Sequence, residues 1–320
     1  MKWRKLGQIF DPRDHQLISN CQEFAQSPQV LVLDDAVRVY FSTRERDAST
    51  GKFLSHMAYA EFSKDFSRVL RVNSEPVIPL GELGTFDEHG IFPMQVLPVG
   101  DEVWGYTCGW SRRVSVSVET AIGLAISRDG GKTFQRTGPG PVLGPSPQEP
   151  FLVGDGFVQQ VDGRFHMWYI FGTHWTQYAA GEAPDRVYKI GHAVSADGVN
   201  WVKNEEGRRI ISNRLGEDEC QALPTLIKIG ARWHMFFCYR HAYGFRTDPS
   251  RGYRIGHAWS DDLQHWTRDD EEPGLAMEPD QWDSDMMCYP HVCQVEGRVY
   301  LLYNGNQFGR QGFGLAVLEP

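Results

Sequence analysis

The sequence predicts an all-β protein, a five-bladed β-propeller whose ring is closed by the N-terminal strand. Short apolar and aromatic runs, bounded by Gly, Asp and Ser, recur along the chain and are typical of antiparallel strands rather than helices. A Ser-x-Asp pair recurs as well, at Ser63, Ser127, Ser195 and Ser260. The spacing is about 65 residues, and a repeat of this length with several strands indicates a propeller or a similar radial array. At that spacing the 320 residues make roughly five blades.

The stretch from Glu217 to Trp266 shows one such unit most clearly. It contains an acidic lead-in, an apolar run, an aromatic run, an alternating run and a closing turn, at residues 217–221, 224–229, 234–239, 253–259 and 260–266. This order predicts a four-stranded antiparallel meander.

The other four units follow the same plan. They begin at Ser27, Phe86, Glu149 and Trp282. Their predicted second strands are residues 36–41, 103–108, 165–170 and 299–303. We expect one propeller domain over residues 1–320, because a blade cannot bury both faces without neighbours.

The ends of the chain predict how the ring closes. The run Trp3–Phe10 has no partner nearby in the sequence, and the last unit, which ends at Leu315–Glu319, supplies only three strands. We therefore expect the N-terminal run to complete the fifth blade. Such closure removes an exposed sheet edge.

Composition narrows the functional classes. The net charge of −9 argues against general nucleic-acid binding. The N-terminus lacks the apolar core of a signal peptide, and no apolar run approaches the roughly 20 residues needed to cross a bilayer. The six cysteines form no C-x-x-C pair. We therefore expect a cytoplasmic protein with free thiols, no metal site, no cofactor and no membrane partner.

Strand direction places the candidate chemistry at one end of the ring. In a four-stranded meander, the start of the first strand and the loop between the second and third strands lie at the same end. Acidic lead-ins of four blades therefore gather there, with Asp87, Glu149, Glu219 and Asp285 as the candidate catalytic carboxylates. A single acid before a strand is commonly only a turn former.

The same end carries candidate substrate-binding residues. They are arginines, histidines, tryptophans and one asparagine, namely Arg44, His89, Trp110, His174, Trp175, Arg240, His241, His291, Asn306 and Arg310. Carboxylates and aromatic rings around one mouth suit a sugar site. The alternatives are that the arginines pair with those carboxylates and that the tryptophans pack between blades.

Particular runs carry a family resemblance. The five-fold repeat pattern resembles the five-bladed propeller glycosidases of glycoside hydrolase families 32, 43, 117 and 130. More specifically, residues 86–93, 167–169, 253–258 and 303–309 resemble a branch of glycosidase-like proteins from bacterial polysaccharide loci. The turn that starts at Ser127 is similar to the Asp-box of sialidases, which is a structural turn on several propellers.

The resemblance implies a base, an orienting acid and a general acid from different blades. Asp87 matches the base, Glu219 the general acid, and Glu149 or Asp285 the third role. The chain departs from the family in blade one, where the family-43 base position reads Ser27-Pro28.

These observations predict a carbohydrate-active enzyme that cleaves a glycosidic bond, with inverting hydrolysis as the expected reaction. If two carboxylates act as acid and base, inversion requires a separation of roughly 6.5–9.5 Å. The arginines suggest an anionic ligand: an acidic sugar, a phosphorylated sugar, or inorganic phosphate as the attacking group. Phosphorolysis, a non-catalytic glycan-binding propeller and a protein scaffold are the alternatives.

Overall fold

The computed structural model of the protein describes residues 1–319. Within them, twenty strands form five four-stranded antiparallel sheets. The first blade contains β2 (Gln26–Val32), β3 (Val37–Arg46), β4 (Phe53–Phe62) and β5 (Val69–Val72). The second contains β6 (Ile91–Val99), β7 (Glu102–Arg112), β8 (Val118–Ser127) and β9 (Gln135–Arg136). The third contains β10 (Val153–Val161), β11 (Arg164–Thr176), β12 (Asp185–Ser195) and β13 (Trp201–Asn204).

The remaining strands complete the ring. The fourth blade contains β14 (Glu219–Ile229), β15 (Arg232–His241), β16 (Arg254–Ser260) and β17 (Thr267–Arg268). The fifth contains β18 (Cys288–Val295), β19 (Arg298–Asn304), β20 (Phe313–Leu318) and β1 (Trp3–Phe10). Helical structure in residues 1–319 is limited to two 3₁₀ turns, Pro12–Asp14 and Pro249–Arg251, and one helical turn, α1 (Asn306–Gly309). Across residues 1–319, no helix has the length and apolar character needed to span a membrane.

The inner strands lie around a common axis. The first strand of each blade, β2, β6, β10, β14 and β18, contacts the first strand of the next, and β18 contacts β2. Both faces of the second strands are covered by neighbouring blades, so seven consecutive residues of β3, from Val37 to Thr43, are buried. This arrangement confirms the predicted five-bladed propeller.

The N-terminal strand closes the ring as predicted. β1 pairs antiparallel with β20, with Trp3 opposite Leu318 and Phe10 opposite Phe313. Phe10 is 2% exposed and packs on Phe313 with a centroid distance of 5.1 Å. The first strand-forming residues of the chain are therefore the outermost strand of its last blade.

The Ser-x-Asp repeats are turns between the third and fourth strands, at the end opposite the lead-ins. In each, the serine hydroxyl donates to the aspartate two residues later, at 2.6 Å from Ser63, 2.7 Å from Ser127, 2.9 Å from Ser195 and 3.1 Å from Ser260. The aspartate also accepts backbone N–H groups of its own turn. These turns are scaffold, as expected.

A β-bulge interrupts every inner strand near its start. The strand register shifts between Gln26 and Gln29, Ile91 and Met94, Gly154 and Phe157, Ala222 and Thr225, and Cys288 and His291. Four bulge residues have a left-handed backbone, with φ between 49° and 55° at Ser27, Asp155, Leu223 and Tyr289. A bulge re-aims side chains locally, and all five occur at the same depth of the ring.

Side chains link neighbouring inner strands around the axis. His291 accepts the Val30 N–H at 3.1 Å, Thr225 accepts the Val292 N–H at 3.1 Å, and Gln95 accepts the Val158 N–H at 3.3 Å. Gln159 donates to the Leu226 carbonyl at 3.0 Å. These bonds satisfy backbone groups that no strand partner reaches.

Buried histidines should make the fold acid-sensitive. His192 shares a hydrogen bond of 3.1 Å with His166, and burial lowers the pKa of His192 to about 4. Burial also lowers the pKa of His291 to about 3. Both imidazoles therefore stay neutral in the folded protein down to about pH 4, whereas the same histidines in the unfolded chain become protonated near pH 6.5.

We therefore expect full stability above pH 6.5 and a progressive loss as the pH falls towards 4. The loss should reach about 1.4 kcal/mol per pH unit for each such histidine. Urea unfolding at pH 7.5, 6 and 5 measures this loss of unfolding free energy. His192→Gln should reduce the slope, and His265→Gln, which changes an exposed side chain, should not. Equal slopes for the His192→Gln variant and the native protein would contradict this assignment.

Candidate active site

All five blades contribute to one cavity of about 310 Å³ at the end of the ring where the bulges lie. This volume is at the lower end of small-molecule sites, which span roughly 300–1,000 Å³. Nine aromatic rings line it: Phe24, Phe53, Phe92, Trp110, Tyr188, Phe245, Tyr253, Tyr289 and Phe308. The bulges of blades two, three and five aim Phe92, Asp155 and Tyr289 into it.

Four arginines line the cavity: Arg44, Arg186, Arg240 and Arg246. Within residues 1–319, none of the four has a carboxylate oxygen within salt-bridge distance. Burial and the nearby charge of Arg246 lower the pKa of Arg44. The cavity therefore has an excess of positive charge in a protein whose net charge is −9.

Arg240 is the most buried of these arginines, at 2% exposure. It donates to the carbonyls of His241 and Ala242 at 2.7 and 3.2 Å and to the Tyr188 hydroxyl at 2.9 Å. Its Nε has no partner among the described residues. The Tyr188 hydroxyl in turn lies 2.6 Å from the Tyr253 hydroxyl, so this network fixes the guanidinium and both phenols at the cavity wall.

Asp155 is the one carboxylate among the described residues that line the cavity. It is 7% exposed. Burial raises the pKa of Asp155 to about 7, against the lowering effects of the Leu223 backbone amide, the Arg186 charge and the Cys108 thiol. A carboxyl group that titrates near neutral pH can transfer a proton in either direction.

Cys108 lies beside Asp155 in the cavity wall. Burial and the Asp155 charge raise the pKa of the Cys108 thiol well above its usual range. The thiol is therefore a poor nucleophile at neutral pH.

Three of the predicted catalytic carboxylates lie outside the cavity. Each is bound to a basic side chain on the outermost strand of its own blade, an arrangement that we call the blade clasp. The pairs are Asp87 with Arg136 at 2.6 Å, Glu149 with Lys203 at 2.7 Å, and Glu219 with Arg268 at 2.7 Å. Asp283 with Lys5, at 2.7 Å, forms the clasp of blade five.

The clasp carboxylates are further hydrogen-bonded. Glu149 accepts the Tyr169 hydroxyl at 2.9 Å, and Asp283 accepts the Tyr303 hydroxyl at 3.0 Å. Glu219 accepts the backbone N–H groups of Arg214 and Leu215 at 2.7 and 2.8 Å. These contacts favour a structural role, in which the lead-in of a blade is fastened to its outer edge.

Asp285, the fourth predicted carboxylate, is exposed and does not line the cavity. Its backbone N–H donates to Asn306 at 2.8 Å. The structure thus does not bring Asp87, Glu149, Glu219 and Asp285 together around one pocket, and their catalytic roles stay a prediction.

The structure divides the predicted substrate-binding residues into two groups. Arg44, Trp110 and Arg240 line the cavity. The others lie beside it or elsewhere, at His89, His174, Trp175, His241, His291, Asn306 and Arg310.

The residues of the second group have other partners. His89 stacks on Trp110 with a centroid distance of 5.7 Å, His174 lies 3.6 Å from Asp218, and the Trp175 ring packs beneath Arg186. The carbonyl of His241 accepts a bond from Arg240.

Three further members serve the scaffold. His291 belongs to the wall around the axis. Asn306 accepts the Asp285 and Met286 N–H groups, and Arg310 binds Glu23 with two nitrogens at 2.9 Å.

Sequence reasoning missed Asp155, Arg186, Arg246 and Tyr289. The bulges supply a signal that could have identified two of them. Four bulge residues precede a proline, at Pro28, Pro93, Pro224 and Pro290, and Asp155 precedes Gly156 at the corresponding position of blade three. Aligning the blades on these dipeptides places Asp155 and Tyr289 at equivalent positions of their blades.

No metal site is evident in the described part of the chain. Residues 1–319 contain no group of three or more His, Cys, Asp or Glu side chains that could hold a metal ion.

The blade clasp gives a direct test of the structural role of Glu149. Glu149 and Lys203 are 1% and 5% exposed, and breaking a buried pair by removing one partner costs about 3–5 kcal/mol. Glu149→Gln should therefore lower the free energy of unfolding by that amount, measured by urea denaturation. Glu205→Gln removes an exposed partner of Arg208 and should change it by less than about 0.5 kcal/mol. A Glu149→Gln variant of native stability would exclude the structural role.

Comparisons with known proteins agree with the fold. No protein-family model matches the chain. Among solved structures, a glycoside hydrolase aligns with a TM-score of 0.74 at 17% identity, over 99% of this chain and 91% of that chain. Beta-1,2-mannobiose phosphorylase from Listeria innocua aligns with a TM-score of 0.65 at 15% identity, over 97% and 94%. The resemblance to glycosidase and phosphorylase propellers is thus confirmed as a shared fold.

Two relatives match in sequence over the whole chain. The uncharacterized proteins MT1551 and Rv1502, from two strains of Mycobacterium tuberculosis, are each 33% identical over 323 residues, with 100% of both chains covered. The chain therefore belongs to the same protein family as MT1551 and Rv1502.

Proposed function

We propose that this protein is a carbohydrate-active enzyme that cleaves a glycosidic bond in the central cavity, with Asp155 as the proton-transferring carboxylate. The observation that carries the proposal is one buried carboxyl, with a pKa of about 7, in a cavity lined by aromatic rings and arginines. The propeller fold shared with a glycoside hydrolase and a mannobiose phosphorylase supports it by analogy.

The cavity wall suits a sugar. Aromatic side chains present flat apolar surfaces to the C–H faces of a pyranose ring, while a few fixed polar groups select its hydroxyls. Tyr188, Tyr253 and Arg240 form one such fixed polar network. Asp155 protonates the glycosidic oxygen as the bond to the anomeric carbon breaks, so the leaving sugar departs as a neutral alcohol.

The number of carboxylates in the cavity indicates whether water or phosphate is the attacking nucleophile. Hydrolysis with inversion, which the sequence led us to expect, needs a second carboxylate to deprotonate water. Asp155 has no such companion among the described cavity residues. An anionic nucleophile needs no base, and arginines bind phosphate well.

Phosphorolysis is therefore the form of the reaction that we favour. Phosphate attacks the anomeric carbon, the new bond joins that carbon to a phosphate oxygen, and the Asp155 proton moves to the leaving oxygen. The products are a sugar 1-phosphate and a shortened glycan. Hydrolysis is the second candidate, supported by the ability of Asp155 to act as a base in its ionised form.

Replacement of Asp155 tests the proposal. Asp155→Asn removes the proton transfer and should reduce turnover of a glycan panel by about 10²- to 10⁴-fold. Asp261→Asn, at an exposed aspartate that pairs with Arg232, is the matched control and should retain native turnover.

Assays with and without phosphate, read out as sugar 1-phosphate against free reducing sugar, separate phosphorolysis from hydrolysis. Native turnover in the Asp155→Asn variant would overturn the proposal, and tight glycan binding without turnover at any pH would favour a non-catalytic binding protein.

The pH profile gives the direction of proton transfer. A general acid is active in its protonated form, so kcat should fall as the pH rises through about 7, the pKa of Asp155. If Asp155 acts as a base, kcat should instead rise as the pH rises through about 7. Measuring kcat from pH 5.5 to 8.5 with saturating substrate distinguishes them, and a flat profile across this range would show that Asp155 does not govern the rate.

A further inference from the structure

Charged residues from several blades line the cavity. Asp155 and Arg186 belong to blade three, and Tyr289 belongs to the bulge of blade five. Blades three and five are not neighbours in the ring. Beside Tyr289 lie Arg44, from blade one, and Arg246, from the loop that follows β15 of blade four. Blade five lies between blades four and one, so these two arginines approach from its two flanks.

Aromatic rings hold both arginines, and neither guanidinium donates a hydrogen bond to another described residue. The Arg44 guanidinium lies 4.7 Å from the Phe24 ring centroid and 5.6 Å from that of Phe53. The Arg246 guanidinium lies 4.3 Å from the Phe245 centroid and 5.8 Å from that of Phe308. Aromatic contacts of this kind hold a cation in place through the ring face.

The supporting rings are themselves packed as pairs. Phe24 meets Phe53 edge-on at 5.7 Å, and Phe245 meets Phe308 edge-on at 6.0 Å. Within residues 1–319, neither Arg44 nor Arg246 forms a salt bridge, in contrast to the clasp cation Arg268, which is bound to Glu219. The donors of both guanidiniums are thus left available on the cavity side.

Electrostatics point the same way. Burial and the charge of Arg246 lower the pKa of Arg44, whereas the Tyr289 phenol opposes that shift. Arg44 is partly buried, whereas Arg246 is exposed at the mouth. Arg44 and Arg246 place two like charges in one cavity, a combination that favours the binding of an oxyanion.

We infer that Arg44, Arg246 and the Tyr289 hydroxyl form an oxyanion subsite that binds an acidic group carried by the sugar itself. This inference rests on the proposed function only in taking the ligand to be a carbohydrate. Asp155 and Tyr289 come from blades that are not neighbours in the ring, so an acidic group bound at the subsite orients the sugar relative to the bond to be cleaved. Arg186 and Arg240 remain available for a second oxyanion, such as the phosphate of the proposed reaction.

Binding measurements on the native protein test the subsite without any mutation. Calorimetric titration compares galacturonic acid and N-acetylneuraminic acid, which carry carboxylates, with glucose 6-phosphate, neutral galactose and inorganic phosphate. We expect at least one acidic sugar to bind roughly 30-fold more tightly than galactose, the effect expected of one desolvated charge pair. Equal binding of neutral and acidic sugars would overturn the inference. Binding of inorganic phosphate alone would also overturn it and would assign the arginines to the phosphate of phosphorolysis.

Variants locate the subsite. Arg44→Gln, Arg246→Gln and Tyr289→Phe should each reduce the preference for the acidic sugar over galactose, with the arginine variants losing most of the roughly 30-fold ratio. Arg232→Gln, at an exposed arginine on the opposite end of the ring, is the matched control and should keep the ratio. An unchanged ratio in both arginine variants would refute the assignment.

The two proposals fail separately. Selective binding of acidic sugars with no turnover would refute the enzymatic proposal and uphold the subsite. Turnover that depends on Asp155 but shows no preference for acidic glycans would uphold the enzymatic proposal and refute the subsite.

Discussion

The repeated bulge in the inner strands is the constraint on which the site depends. Each inner strand must pair with its second strand and also face the axis, and the extra residue of a bulge turns one side chain out of the ladder towards the centre. Because all five bulges occur at the same depth, residues more than sixty positions apart in the sequence converge on one cavity. The bulges of blades two, three and five place Phe92, Asp155 and Tyr289 in the cavity wall, and Asp155 is the single acid among the bulge residues.

Charge is separated within four of the five blades. The lead-in carboxylates of these blades form salt bridges in the blade clasps, as Glu149 does with Lys203 and Glu219 with Arg268. The cavity arginines, by contrast, are held by aromatic rings or backbone carbonyls. An acidic protein can therefore present a cationic pocket, since its clasp carboxylates lie elsewhere and its cavity arginines have no carboxylate within salt-bridge distance among the described residues.

The fold could be predicted because its signals are periodic. The aromatic second strands recur with every blade and the Ser-x-Asp turn with four of the five, and the run Trp3–Phe10 coincides with the closing strand β1. The site was harder to predict because it depends on which of several nearby acids faces inward. Glu149 and Asp155 are six positions apart, yet one is bound at the outer edge of its blade and the other lines the cavity. Composition does not distinguish them, whereas strand register and the bulge do.

The closing strand has a consequence for how the molecule is made. β1 is synthesised before every other strand of the ring, whereas its partner β20 is synthesised after all of them. Four blades consist of consecutive strands and can assemble as they emerge, whereas the fifth must wait for two segments that are some 300 residues apart to meet, with the loop-closure entropy that such a contact costs. Until then the nascent ring stays open at the seam between blades four and one, with the apolar faces that blade five will cover exposed to chaperones and proteases alike.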